Sequence, residues 1–265
     1  MNKWVRRSLE IANSPGYLDR LSAIYPAIRP PRRPLPNSAK QKIADLHRAG
    51  DGQGLVTLLL ALRGKGHPFP FEHPYASLLG KYPELLDKNP DIVRHIGESL
   101  LALSVKEIIR GCERPADINR VMGPAFRNWL RHFFPTQGYP VLLEAQFETY
   151  GGPAFLDAAN SAILHYVSHK LGFPLERGRD FLARVGTRYV IGEARFLSTS
   201  GGSQTRDLRE TIGFVKSAKK HLVAIAVLDG VIWFNRPYVQ IVSELGKDEP
   251  ALTALLIYDF LESLR

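Results

Sequence analysis

Between residues 38 and 171 apolar positions recur at helical spacing, and Gly or Pro punctuates each run. Ser38 can cap a helix through His47, and Gly54 to Leu62 reads as a short buried helix. A Gly/Pro-rich loop over 64–74 leads to helical stretches at 90–109, 117–121, 124–134, 141–150 and 153–171. From residue 175 the period shortens. Two β-rich segments, 180–185 and 188–197, flank Gly186-Thr187, and a two-residue loop with Gly first predicts a type II′ hairpin. Leu208, Ile212 and Val215 mark a helix over 204–220. Leu222 to Leu228 is apolar at every position, as a strand covered on both faces would be. A turn at Asp229-Gly230, a strand over 231–234 and a helix over 250–264 complete the pattern.

Strand, strand, helix and strand after a helical half predict an α/β mixed sheet flanked by helices. Three segments are expected. Residues 1–36 form a basic helix and a Pro-rich arm (ending Arg29-Pro-Pro-Arg-Arg-Pro-Leu-Pro36), residues 37–174 a helical region, and residues 175–265 the α/β core. The arm suits wrapping DNA or a partner subunit, and equally plain surface packing.

The hairpin brings chemistry with it. Its register pairs residues whose numbers sum to 373, so Asp180 faces Glu193, with Arg195 on the same face as Glu193. Two carboxylates would then stand roughly 5 Å apart at Cβ. Like charges so placed need a counter-charge. A hard divalent cation supplies it, or the hairpin is solvated and Glu193 merely pairs with Arg195.

Charge placement bears on that choice. The chain has 35 Lys/Arg against 26 Asp/Glu, a net charge of +9. Residues 1–33 hold seven basic against two acidic residues, and residues 176–220 hold ten against five. The excess therefore lies on the N-terminal segment and around the carboxylates, which suits a nucleic acid. A solubility surplus would look similar. The first sixteen residues lack the apolar stretch of a secretory signal, no run is long enough to span a membrane, and Cys112 is alone. These predict a cytoplasmic protein without disulfides.

Asp180, Glu193-Ala194-Arg195, the Gly201-Gly202-Ser203-Gln204 loop, and the helix and apolar strand after it together resemble the PD-(D/E)xK nucleases, type II restriction endonucleases most closely. The resemblance covers residues 175–235. It implies Mg²⁺ held by Asp180, Glu193 and the Ala194 carbonyl, with Asp180, Glu193, Arg195 and Gln204 catalytic. Arg195 stands where the family usually has Lys, and a guanidinium can offer charge and a fork but no basic lone pair. The implied activity is a site-specific deoxyribonuclease cutting double-stranded DNA, acting as a homodimer beside a genetically linked DNA methyltransferase. The alternative is a non-cleaving DNA-binding protein or a structure-specific repair nuclease on the same fold.

Phosphate contacts are expected from Gly201, Gly202, Ser203 and Arg206, at the start of the helix after the loop. Base contacts are candidates at Arg127, Asn128 and Arg131, which also fit a plain amphipathic helix. Glu144 and Glu148 share a helix face and could lend an acid or lie in solvent. His165 and His169 have metal-ligand spacing but no supporting acid, and read as structural. Glu210 is a weaker candidate for a displaced acid.

Overall fold

The computed structural model describes residues 1–26, 32–115, 119–217 and 222–265. By contact the chain forms two compact units, 1–28 with 119–265, and 29–118. This grouping differs from the expected breaks at 36 and 174, because residues 119–174 supply strands to the sheet of the larger unit. Helices α1 (Lys3–Ala12) and α2 (Tyr17–Ser22) open the chain. Trp4, Val5, Tyr17 and Leu21 are buried in the larger core, Asn2 donates to the carbonyls of Gly246 and Glu249, and the Thr253 N–H donates to Ser8. Arg29 to Pro31, the start of the Pro-rich run, lie outside the described residues.

The smaller unit is helical: α3 (Asn37–Arg48), α4 (Gly52–Gly64), α5 (Pro74–Lys81), α6 (Leu85–Lys88), α7 (Pro90–Leu101) and α8 (Val105–Cys112). The helix expected over 90–109 is split, because Ser104 and Glu107 form a reciprocal capping box that starts α8. Ile43, Leu55, Leu59, Ile96, Leu100 and Ile108 form its core. Cys112 lies in that core too, and burial pushes its thiol up to about 12, which leaves it inert.

The larger unit begins with α9 (Asn119–Thr136), a single helix where two were expected; Asp117 lies outside the described residues. Pro124 is inside α9, not in its first turn, and costs it one intrahelical bond. Next come β1 (Val141–Leu142), α10 (Glu144–Thr149), β2 (Ala154–Leu156) and α11 (Asn160–His165), which runs into a π turn over Tyr166–Lys170. The two short strands replace helix at 141–142 and 154–156; the Phe155 N–H pairs with the Pro140 carbonyl, an early sheet contact no helical count reveals. The hairpin follows as β3 (Phe181–Val185) and β4 (Arg188–Leu197), then α12 (Gly202–Lys216) and β5 (Leu222–Gly230). The chain closes with a 3₁₀ turn over Val231–Trp233, α13 (Arg236–Ser243), β6 (Ala251–Leu252) and α14 (Ile257–Glu262).

Among the described residues the strands form one sheet in the order β1-β2-β3-β4-β5-β6. The β2, β3 and β4 strands are antiparallel, while β4, β5 and β6 run parallel. The hairpin register is the expected one, with Val185 opposite Arg188 and Phe181 opposite Gly192. Gly186 has φ of +58°, and among the described residues only glycines adopt positive φ, so Thr187 does not; this fits type II′ and excludes type I′. Between β4 and β6, β5 is almost wholly buried, as its unbroken apolar run predicts.

Two C-terminal expectations are corrected. Val231–Trp233 is a 3₁₀ turn, because Trp233 folds back to donate its indole N–H to the Leu228 carbonyl. Residues 251–252 pair with β5 as β6 before α14 begins, so the helix expected from 250 is much shorter.

Asp229, at the end of β5, is fully buried. It accepts from the hydroxyls of Tyr17, Tyr25 and Thr253 and from the Ala254 N–H, tying α2 and the C-terminal segment to the sheet. Burial pushes its carboxyl up to about 6. A folded value above the ordinary one means that this group stabilises the fold most below about pH 4 and that its contribution is lost as pH rises through about 6. Asp229→Asn should cost on the order of 2–4 kcal/mol, since its amide puts donors against donors. In urea unfolding, the gap between wild type and variant should narrow as pH rises from 4 to 7; a pH-independent gap contradicts this account.

Candidate active site

The site lies where β3 and β4 begin to diverge. Asp180 precedes β3, and its N–H donates at 3.0 Å to the carbonyl of Gly192, which is already the partner of Phe181, so the ladder ends at Phe181 and the expected pairing of Asp180 with Glu193 is not part of it. Its Oδ2 accepts from the Ala194 N–H at 2.9 Å, and its Oδ1 faces Arg127 Nη1 at 3.4 Å and Asn160 Nδ2 at 3.5 Å. Burial raises the Asp180 carboxyl above its usual range, and the negative charge of Glu193 adds to the rise; the Ala194 N–H, Arg195 and Arg127 oppose it.

Glu193, in the middle of β4, is 3% exposed. Three guanidinium groups answer its charge. Arg177 donates to Oε1 at 2.9 Å, Arg179 donates to Oε2, and Arg195 donates to Oε1. Arg179 is 7% exposed and stacks 3.8 Å from the Phe214 ring centroid, and its Nε meets no acceptor. That burial lowers the stability of its charged form, which Glu193 partly restores.

These arginines come from a tight approach. A Cβ on Gly178 would lie 2.2 Å from the Asn160 carbonyl oxygen, so glycine is needed for the Arg177–Asp180 turn to lie against the start of α11. Arg177, Arg179 and Asn160 were not singled out by sequence reasoning. The run Arg177-Gly178-Arg179-Asp180 was a usable signal, because a buried acid pair needs nearby cations. Asn160, twenty residues upstream, gave none.

The donor set can be weighed against a metal ion. Among the described residues no three His, Cys, Asp or Glu side chains cluster, so the site offers two carboxylates and main-chain oxygen. That is a hard-oxygen set with too few protein ligands for a caged ion. It fits a cation of the Mg²⁺ type, which keeps waters and takes substrate phosphate, better than a structural zinc.

Other expected residues fall around this centre. Gln204 accepts the Thr199 N–H at 3.1 Å and donates to Ser198 Oγ at 3.3 Å, bracing the loop before α12. Gly201, Gly202 and Ser203 are exposed, and Gly201 caps α12 without a side chain, so the first-turn amides face outward. Arg206 is exposed, 3.8 Å from Glu210. Arg131 pairs with Asp157 at 2.7 Å, and Asn128 is exposed beside it. Arg127 turns towards Asp180 and Asn160. Glu144 and Glu148 clasp Lys170. His165 and His169 pack ring to ring at 4.4 Å.

Two outcomes follow for this geometry. Because the fold favours protonated Asp180, the stability it contributes is present below the ordinary Asp range and lost as pH rises through its elevated value. Metal-free Asp180→Asn should therefore melt above wild type at pH 7–8, with the gap closing towards pH 4; a lower melting point at pH 7–8 contradicts this. Gly178→Ala should lose about 1–3 kcal/mol in denaturant unfolding, since backbone must shift to admit the methyl group; unchanged stability would show that the approach is loose.

The chain matches the family model described as Tsp45I type II restriction enzyme over residues 2–264. No curated protein and no solved structure matches it. The match runs almost from end to end, and the sheet with its flanking helices is of the restriction-endonuclease-like α/β class. This chain belongs to the Tsp45I family of type II restriction enzymes, site-specific deoxyribonucleases that cleave double-stranded DNA.

Proposed function

We propose that this enzyme hydrolyses phosphodiester bonds at a short specific sequence in a Mg²⁺-dependent reaction, with Asp180, Glu193 and the Ala194 carbonyl holding the cation. The observation that carries this reading is that the Asp180 carboxylate is anchored on the N–H of Ala194, the residue next to Glu193, so that two acids lie beside the same stretch of β4. Bound there, a divalent cation would polarise the scissile phosphate and lower the pKa of a water.

The chain's own residues set the rest. Arg127 and Asn160 orient the Asp180 carboxylate through its Oδ1. Arg179 fixes Glu193 from the buried side, braced on Phe214. Arg195 supplies positive charge where negative charge builds on phosphate. The first-turn amides of α12, at Gly202 and Ser203, meet a backbone phosphate, with Arg206 beside them. Gln204 acts by holding that loop in shape. Asn128 is a candidate base reader; Arg131 would first have to leave Asp157.

A homodimer suits a two-fold symmetric target, and a cytoplasmic site of action beside a protecting methyltransferase completes the reading. No helix among the described residues is long and apolar enough to cross a membrane.

Digestion of a large phage DNA should give discrete Mg²⁺-dependent fragments; a smear would contradict sequence specificity. Asp180→Ala and Glu193→Ala should each cut at least roughly 10²–10³-fold more slowly while still binding DNA. Cleavage at wild-type rate in both would remove these acids from the site. Arg195→Lys should keep or raise activity if position 195 needs only a cation.

A further inference from the structure

Glu193 carries more positive charge than one carboxylate needs, and its three arginines are not equivalent. Arg179 is held by burial and by the Phe214 ring. Arg195 lies two residues along the same strand. Arg177 sits in the turn before β3 with a side chain 41% exposed, and it has a second anchor. Its Nη2 is 2.9 Å from Glu193, while its Nη1 is 3.3 Å from Glu210 on the outer face of α12.

We infer that Arg177 is a DNA-phosphate ligand held in reserve between Glu193 and Glu210, freed from Glu193 when a divalent cation takes that carboxylate. This rests on Asp180 and Glu193 being the cation's ligands. Arg127, Arg177, Arg179 and Arg195 stand against Asp180, Glu193 and Glu210, four positive charges to three negative. A divalent cation would leave the cluster with a threefold positive excess in a partly dry site. That excess relaxes if a cation swings outward or if phosphate enters. Arg177 is the most exposed of the four and already bonds an acid on α12, the helix whose exposed first-turn amides are proposed above to meet phosphate. A guanidinium fork suits a phosphate as well as it suits a carboxylate. Cation and DNA then favour each other's binding, because each removes a charge the other must otherwise tolerate.

The test uses full-length Arg177→Gln, with Mn²⁺ binding followed by calorimetry without DNA, and binding of duplex DNA in Ca²⁺ followed across a salt series. The variant should bind Mn²⁺ roughly threefold to tenfold more tightly than wild type, since Glu193 no longer has to shed a partner. Its plot of log affinity for DNA against log salt should be shallower by about one, the signature of one lost phosphate contact. Unchanged Mn²⁺ affinity overturns the release from Glu193, and an unchanged slope overturns the phosphate contact. Glu193→Gln separates the two levels. If it binds Mn²⁺ as wild type does, the ligand assignment fails and this inference falls with it. If it loses Mn²⁺ while Arg177→Gln binds no tighter than wild type, only the role of Arg177 fails.

Discussion

A carboxylate buried in the middle of a strand is the constraint around which this site is arranged. Glu193 is held on a central strand where water cannot solvate it, and one further acid, Asp180, is bonded to the N–H of the next residue, Ala194. Leaving such a charge unpaired would cost several kcal/mol, so the neighbouring chain brings cations to it. The turn at 177–179 supplies two guanidinium groups, and β4 supplies a third. Gly178 permits that turn to press against α11, and Phe214 on α12 gives Arg179 a surface to stack on. Arrangements that look local, a glycine here and a phenylalanine there, trace back to one buried negative charge.

The sheet carries this arrangement because its central strands need little else. Nearly every residue of β5 is buried, and β4 pairs with it in parallel over nine residues, from Tyr189 opposite Leu222 to Leu197 opposite Gly230. Such a platform holds Glu193 and Arg195 in a fixed register while leaving the ends of the strands free for chemistry. At one of those ends Asp229 gathers donors from α2 and the C-terminal segment. Tyr25, one of those donors, also packs on Phe196 and Phe126, the neighbours of Arg195 and Arg127. Through Tyr25 the acid network that closes the fold is thus packed against α9 and β4, the elements that carry Arg127 and Arg195.

The hairpin and its register were legible in the sequence, since Gly186-Thr187 between β-formers leaves few pairings that keep both faces consistent. The apolar run 222–228 and the helix marked by Leu208, Ile212 and Val215 were legible for the same reason: periodicity survives tertiary context when one face is fully buried. The two-residue strands at 141–142 and 251–252 were not, because so short a segment has no period to read and gains its hydrogen bonds only from a distant partner. The turn at 231–233 was misread as strand because Val, Ile and Trp favour sheets, while the Trp233 indole bond that curls them is non-local in effect. At the site, Asp180, Glu193 and Arg195 follow from spacing. The contact of Arg127 with Asp180 and Asn160 was not legible, since a helix wheel shows which residues share a face but not what that face meets.

On the function proposed above, Asp180 and Glu193 together hold a cation despite the three arginines on Glu193. Anomalous diffraction from crystals of the full-length protein grown with Mn²⁺ tests it most directly. The predicted result is a single strong peak in contact with both carboxylates and the Ala194 carbonyl oxygen. Mn²⁺ bound elsewhere, with Glu193 still engaged by Arg177, Arg179 and Arg195, would contradict it.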